Sequence, residues 1–196
     1  MDDAIEGLRK QPWRRSPGLL FKGKLIESYE IVDRSPCLAD PERFKVIAKV
    51  GRELGDVLPV LFLSVPNARY SESSGTASYS FDRHNVVVGH NGELAVTFIK
   101  DDDELGRLMG RIIGLLNRCL TYAASGKRVP KSLVEEKKKL SPMTIYQRLP
   151  QTNCKECSES GCYAFASKLF AGEKSLQDCP HADVDRLKRV LQPIEL

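Results

Sequence analysis

Hydrophobic and polar positions alternate along this chain with two different periods, and the period changes mark the expected elements. Lys24 to Val32 (KLIESYEIV) combines β-formers with partial alternation and predicts a strand. Asp40 is placed as an N-cap with Pro41 at the first helical position. Phe44, Ile47, Ala48 and Leu54 then read as the apolar stripe of a helix reaching about Gly55. Val57 to Val65 (VLPVLFLSV) is short and almost wholly apolar, which predicts a deeply buried strand. A further strand is expected near residues 68–80. Val86-Val87-Val88 and Leu94 to Ile99 flank Asn91-Gly92, a dipeptide favoured in type I′ hairpins. Four acids, Asp101 to Glu104, suit the positive end of a helix. Leu105, Leu108, Met109, Ile112, Ile113, Leu116 and Leu120 follow at helical spacing. Together these elements predict an α+β fold, a two-layer α/β sandwich with a mainly antiparallel sheet.

The C-terminal pattern is helical and shorter in reach. Ser141 and Pro142 open a helix carrying Ile145, Tyr146 and Leu149, and Pro150 must end it. A second helix is expected from about Ser160 to Gly172, with Cys162, Phe165, Ala166 and Leu169 on one face. Asp183 caps a last helix bearing Leu187, Val190 and Leu191. Before these helices, Ser125 to Pro130 and the run Glu135-Glu136-Lys137-Lys138-Lys139 are polar and charged. That stretch reads as a linker, or equally as a solvated helix. The expected organisation is an α+β domain over residues 1–126, a charged linker over 127–142 and a small helical module over 143–196.

Candidate chemistry in the first domain is sparse. His84 and His90 flank the first hairpin strand, and period-2 alternation puts both on one face, where they would form a joint site. The plainer expectation is two polar residues on the solvated face. Cys37 and Cys119 read as packing residues. Ser71 to Ser80 reads as a loop or edge strand without the lysine of a phosphate loop. Lys10, Arg14 and Arg15 around Trp13 read as a solvated terminus or a small anion or partner patch. No nucleophile–base or general acid–base constellation stands out.

Composition narrows the class. Apolar residues are 41% and charged residues 29%, a globular balance. No run reaches the roughly 18 apolar residues of a membrane span. The acidic start, Met1-Asp2-Asp3, lacks an apolar secretory core, so a cytoplasmic setting is expected. The net charge of +4 is too mild to indicate nucleic acid. The six cysteines carry more information, because clustered cysteines in such a setting bind metal or do redox work more often than they form disulfides.

Four of them, Cys154, Cys157, Cys162 and Cys179, follow the pattern Cys-x2-Cys-x4-Cys-x16-Cys, with Pro180 after the last. Four thiolates in one short segment match the all-cysteine ligation of an iron–sulfur cluster. Structural zinc is the rival reading, although its sequences usually show two closely spaced pairs. Cys162 heads its helix, whose positive end would face an anionic cluster. The apolar residues of this segment are few, so its fold is expected to depend on the metal. Its Lys/Arg and Asp/Glu cancel over residues 143–196, so the net +4 belongs to residues 1–142.

The run Leu149-Pro150-Gln151-Thr152-Asn153-Cys154, then Cys157, Cys162-Tyr163-Ala164-Phe165-Ala166, Gly172 and Cys179-Pro180 resembles a known domain. It is similar to the four-cysteine [4Fe-4S] domain of the corrinoid iron–sulfur protein large subunit and of the Rnf complex B subunit. The resemblance covers about Ser141 to His181. It implies that Cys154, Cys157, Cys162 and Cys179 ligate a [4Fe-4S] cluster that moves single electrons. It also implies a redox partner protein, with a corrinoid protein as one candidate. The alternative is a non-enzymatic module whose cluster is structural or senses redox state or oxygen. Two positions depart from the family: Lys155 and Ser158 stand where glycine is usual. If those positions need positive φ, each substitution costs of order 1 kcal/mol.

Overall fold

The computed structural model describes residues 25–38 and 40–196. Trp13 and its basic neighbours lie outside the described residues. The chain forms a six-stranded antiparallel sheet and a set of helices. The strands are β1 (Tyr29–Cys37), β2 (Asp40–Val50), β3 (Arg69–Ser71), β4 (Thr76–Phe81), β5 (His84–Gly89) and β6 (Glu93–Ile99). Their spatial order is β1-β2-β6-β5-β4-β3. The helices are α1 (Leu58–Ser64), α2 (Asp102–Ala124), α3 (Lys131–Lys138), α4 (Pro142–Tyr146), α5 (Cys162–Ala171) and α6 (Val184–Leu191).

Register explains the core. Leu94 lies between Ala48 and Val88, and Val96 lies between Val46 and Val86. These side chains share the inner face and are fully buried with Leu105, Met109, Ile112, Ile113 and Leu116 of α2. Lys45, Lys49 and Val87 point the other way and are exposed. The α2 start is capped as its acids predict: the Asp101 carboxylate accepts the Glu104 amide at 2.8 Å.

Four local expectations need correction. The first strand begins at Tyr29, not Lys24, and runs through Pro36. An edge strand tolerates that proline, and a register shift after Ile31 leaves Val32 exposed. Residues 40–50 form β2, not a helix. Phe44, Val46, Ala48 and Val50 are buried at period 2, while Lys45 and Lys49 are exposed. Ile47 lies between buried Val46 and Ala48 on the opposite face and is only partly buried, so the apolar set follows the strand period rather than a helical stripe. Residues 58–64 form α1, not a strand. Pro59 sits in its first turn, where its missing N–H costs nothing, and a helix apolar all round is a buried one. The β5–β6 hairpin is present, but only Gly92 in its turn has positive φ, +81°, and its N–H reaches the Gly89 carbonyl at 3.1 Å. A type I′ turn needs positive φ at both central residues, so this is not one.

The charged stretch before the cysteines forms α3 and packs on α1. Val134 and Lys137 are buried. The Lys137 ammonium donates to the Phe62 and Val65 carbonyls, the latter at 2.7 Å, where the end of α1 leaves acceptors open. Burial pushes its pKa down to about 7. The chain terminus returns to the same helix: Ile194 is buried in the sheet core and its N–H reaches the Leu63 carbonyl at 3.4 Å. Both ends of the cysteine segment are therefore tied to α1.

Candidate metal centre

A second apolar cluster holds Ile145, Leu149, Cys157, Cys162, Phe165, Ala166, Leu169, Leu176, Cys179, Leu187 and Leu191. Its entry is α4, closed at the N-terminus by a capping box in which Ser141 and Thr144 exchange hydrogen bonds, 2.9 Å for Ser141 N–H to Thr144 Oγ1. Leu149 then turns inward and Pro150 stops the helical path.

The loop from residue 150 to 161 carries the first two cysteines on an unusual backbone. Gln151, Asn153, Lys155 and Ser158 have φ between +51° and +66°. The conditional expectation for Lys155 and Ser158 is met: both occupy the left-handed region, at +66° and +62°, where glycine carries no penalty. Asn153 staples this loop to α5. Its side-chain oxygen accepts the Cys162 N–H at 2.9 Å, and its own N–H points at Cys162 Sγ at 3.4 Å. A Cβ on Gly161 would lie 2.9 Å from that Asn153 oxygen, so the close approach requires glycine.

The expected second helix is α5, and Cys162, Phe165, Ala166 and Leu169 are its buried face. Gly172 ends it at φ +80°, packed so closely on the Asn67 side chain that any Cβ there would collide with it. This contact joins the cysteine segment to the sheet half, as does the Arg69 guanidinium 5.7 Å from the Phe170 ring centre. A 3-10 turn, Leu176–Asp178, delivers Cys179, and Asp183 caps α6 by accepting the Arg186 N–H at 3.0 Å.

The four thiols are free of disulfides and are not equivalent. Cys157, Cys162 and Cys179 are buried at 8%, 7% and 7% exposure, whereas Cys154 is exposed. Cys154 Sγ, a Glu156 carboxylate oxygen and a His181 ring nitrogen all lie within 4.8 Å of one another. His181 Nε2 and Glu156 Oε1 are 3.1 Å apart. The donor set fits an iron–sulfur cluster: three buried thiols in one apolar cluster, a fourth exposed thiol on the same loop as Cys157, and a backbone N–H aimed at a sulfur.

One group escaped the sequence reading. Glu159 is buried between Lys168, at 2.9 Å, and Lys174, at 3.6 Å. The Lys168 hydrogen bond holds its carboxyl below the usual range. Lys174 also donates to the Cys157 carbonyl at 3.2 Å, so the ion network braces the loop that carries Cys157. No local spacing signals it, because both lysines arrive from later elements.

The histidines of the sheet half form no joint site. His84 is buried rather than solvated, with Nδ1 3.3 Å from the Thr97 carbonyl and Nε2 3.5 Å from Glu104. His90 lies in the β5–β6 turn against Gly75. Cys119 is a core residue and Cys37 is half-buried at the end of β1.

Residues 149–181 match the family described as "Putative Fe-S cluster". The acetyl-CoA decarbonylase/synthase complex subunit gamma of Methanothermobacter thermautotrophicus is 42% identical over 57 residues, 28% of this chain and 12% of that protein. The subunit of the same name from Methanosarcina acetivorans is 55% identical over 40 residues, 20% of this chain and 8% of its own. The corrinoid/iron-sulfur protein large subunit of Moorella thermoacetica is 45% identical over 42 residues, 21% of this chain and 9% of its own. The chain thus matches only about a tenth of each relative's length. No solved structure matches. Residues 149–181 are therefore similar to an iron–sulfur cluster family and to a short segment of corrinoid iron–sulfur and acetyl-CoA decarbonylase/synthase gamma subunits.

Proposed function

We propose that Cys154, Cys157, Cys162 and Cys179 hold one [4Fe-4S] cluster, and that the protein passes single electrons to a partner protein. The observation that carries this reading is the burial of three free thiols in a small apolar cluster, within a segment that matches an iron–sulfur family. Bound, the cluster supplies one-electron chemistry; the chain's own residues shelter it and set its access. Cys154 lies at the surface, which brings one edge of the centre close to a docking partner. A corrinoid protein is the favoured partner, because the relatives include a corrinoid/iron-sulfur subunit. The sheet half would dock or orient that partner. Free thiols suit a reducing, cytoplasmic setting.

The deciding experiment is anaerobic purification with iron, sulfide and zinc analysis, followed by a redox titration read by EPR. Iron and sulfide in equal amounts, with reversible reduction and an unchanged circular-dichroism spectrum, are expected. Zinc without sulfide would make the site structural. Unfolding on reduction would make the cluster a structural or sensing element rather than a carrier.

A further inference from the structure

The exposed corner of the centre differs from its buried side in more than accessibility. Beside Cys154 Sγ stand two other metal-binding groups, the Glu156 carboxylate and the His181 imidazole, with ligand atoms within 4.8 Å of the sulfur and of each other. They come from both arms of the ligand loop system: Glu156 is two residues after Cys154, and His181 is two residues after Cys179. All three residues are exposed. The pair Glu156–His181, with side chains 55% and 47% exposed, adds little to stability as a surface ion pair. Their place is better explained by what they reach.

We propose that Cys154, Glu156 and His181 form an exchangeable corner, in which His181 takes over the iron of Cys154 when that thiolate is lost, and Glu156 orients the imidazole. This inference rests on the iron–sulfur reading above. Imidazole suits iron better than carboxylate does, which ranks His181 first. Imidazole also replaces cysteine on one iron in Rieske centres, so the ligand class is chemically competent. A histidine that binds metal is commonly held in orientation by a carboxylate on its ring, and Glu156 stands where it can play that part. The substitution needs no new backbone path, because both residues already sit within the loops that hold Cys154 and Cys179. Among the described residues, this trio is the one group of three metal-binding side chains drawn so close.

The test uses the full chain, loaded anaerobically with iron and sulfide. Cys154→Ala should keep its iron and sulfide, whereas Cys157→Ala should lose both. Pulsed EPR of reduced Cys154→Ala should show a nitrogen coupling absent from the parent. Adding His181→Ala should remove that coupling and release the iron and sulfide, and adding Glu156→Gln instead should weaken retention. Circular dichroism of the sheet half serves as the folding control. Loss of iron and sulfide from Cys154→Ala to the extent seen in Cys157→Ala overturns the proposal. Retention in Cys154→Ala without nitrogen coupling, unchanged by His181→Ala, overturns it as well. Failure of the parent itself to bind iron and sulfide overturns the iron–sulfur reading, a result distinct from failure of the corner alone.

Discussion

Between Tyr29 and Leu120 the buried positions are filled mainly by Val, Leu, Ile and Phe side chains from strands and helices in register. Between Ile145 and Leu191 three of the buried positions are cysteines, and the residues around them are fewer and come from short helices. The backbone differs too. Among the described residues of the sheet half, the left-handed non-glycine residues are Asp82 and Phe98, whereas Gln151, Asn153, Lys155 and Ser158 crowd the one loop that carries Cys154 and Cys157. Apolar burial suffices to order a six-stranded sheet under a long helix. A loop held in costly φ around a few apolar groups needs another source of free energy, and metal ligation would supply it under the function proposed above.

The sharpest way to break this comparison is to remove the iron. Chelation, or Cys162→Ala, should raise amide hydrogen exchange over residues 145–191 to the rate of an open chain. Amides of Val46, Ala48, Leu94 and Ile112 should stay protected. Hydrogen-exchange mass spectrometry reads both halves at once. One shared transition for the whole chain would show that the two clusters stand or fall together.

A smaller effect tests where the chain end belongs. Ile194 follows the cysteine helices in sequence but is buried in the sheet core. Ile194→Ala should cost about 2–5 kcal/mol, the range for truncating a buried isoleucine. Urea denaturation should show the loss in the sheet transition, with iron content unchanged. A loss confined to the cluster segment would reassign the tail.

The smallest expected effect concerns the ligand loop. Lys155 sits at φ +66°, so Lys155→Gly relieves a penalty of about 1 kcal/mol, of which the glycine's greater chain entropy takes back part. Thermal loss of cluster absorbance should shift upward by the equivalent of a few tenths of a kcal/mol. Lys155→Val should shift it downward. An identical midpoint in both variants would mean that the loop's conformation is not set by backbone preference.

Legibility in the sequence differed between the halves for a physical reason. The caps at Ser141 and Asp183, the acids that open α2, the glycine stop at Gly172 and the stripe of α2 were readable because each depends on residues within one or two turns. The cysteine spacing belongs to the sequence itself, and residues 149–181 around it match the iron–sulfur family. Residues 40–50 and 58–64 were misread because their apolar runs satisfy two periods. What decides between them is the partner across the sheet, Ile99, Val96 and Leu94 for β2, and enclosure in the core for α1.

By itself, then, the sequence determined the elements whose signals are local: the hairpin around Gly92, the long helix and its acidic cap, and the four thiols with their intervals. Tertiary structure alone decided that Cys154 is exposed while Cys157, Cys162 and Cys179 are buried, and that Glu156 and His181 meet beside it. It also decided that Lys137 and Ile194 tie both ends of the cysteine segment to α1, and that Glu159 is braced by Lys168 and Lys174. Spacing along a chain reports which groups can share one turn. Burial and side-chain meeting depend on how separate elements pack, and no local pattern encodes that.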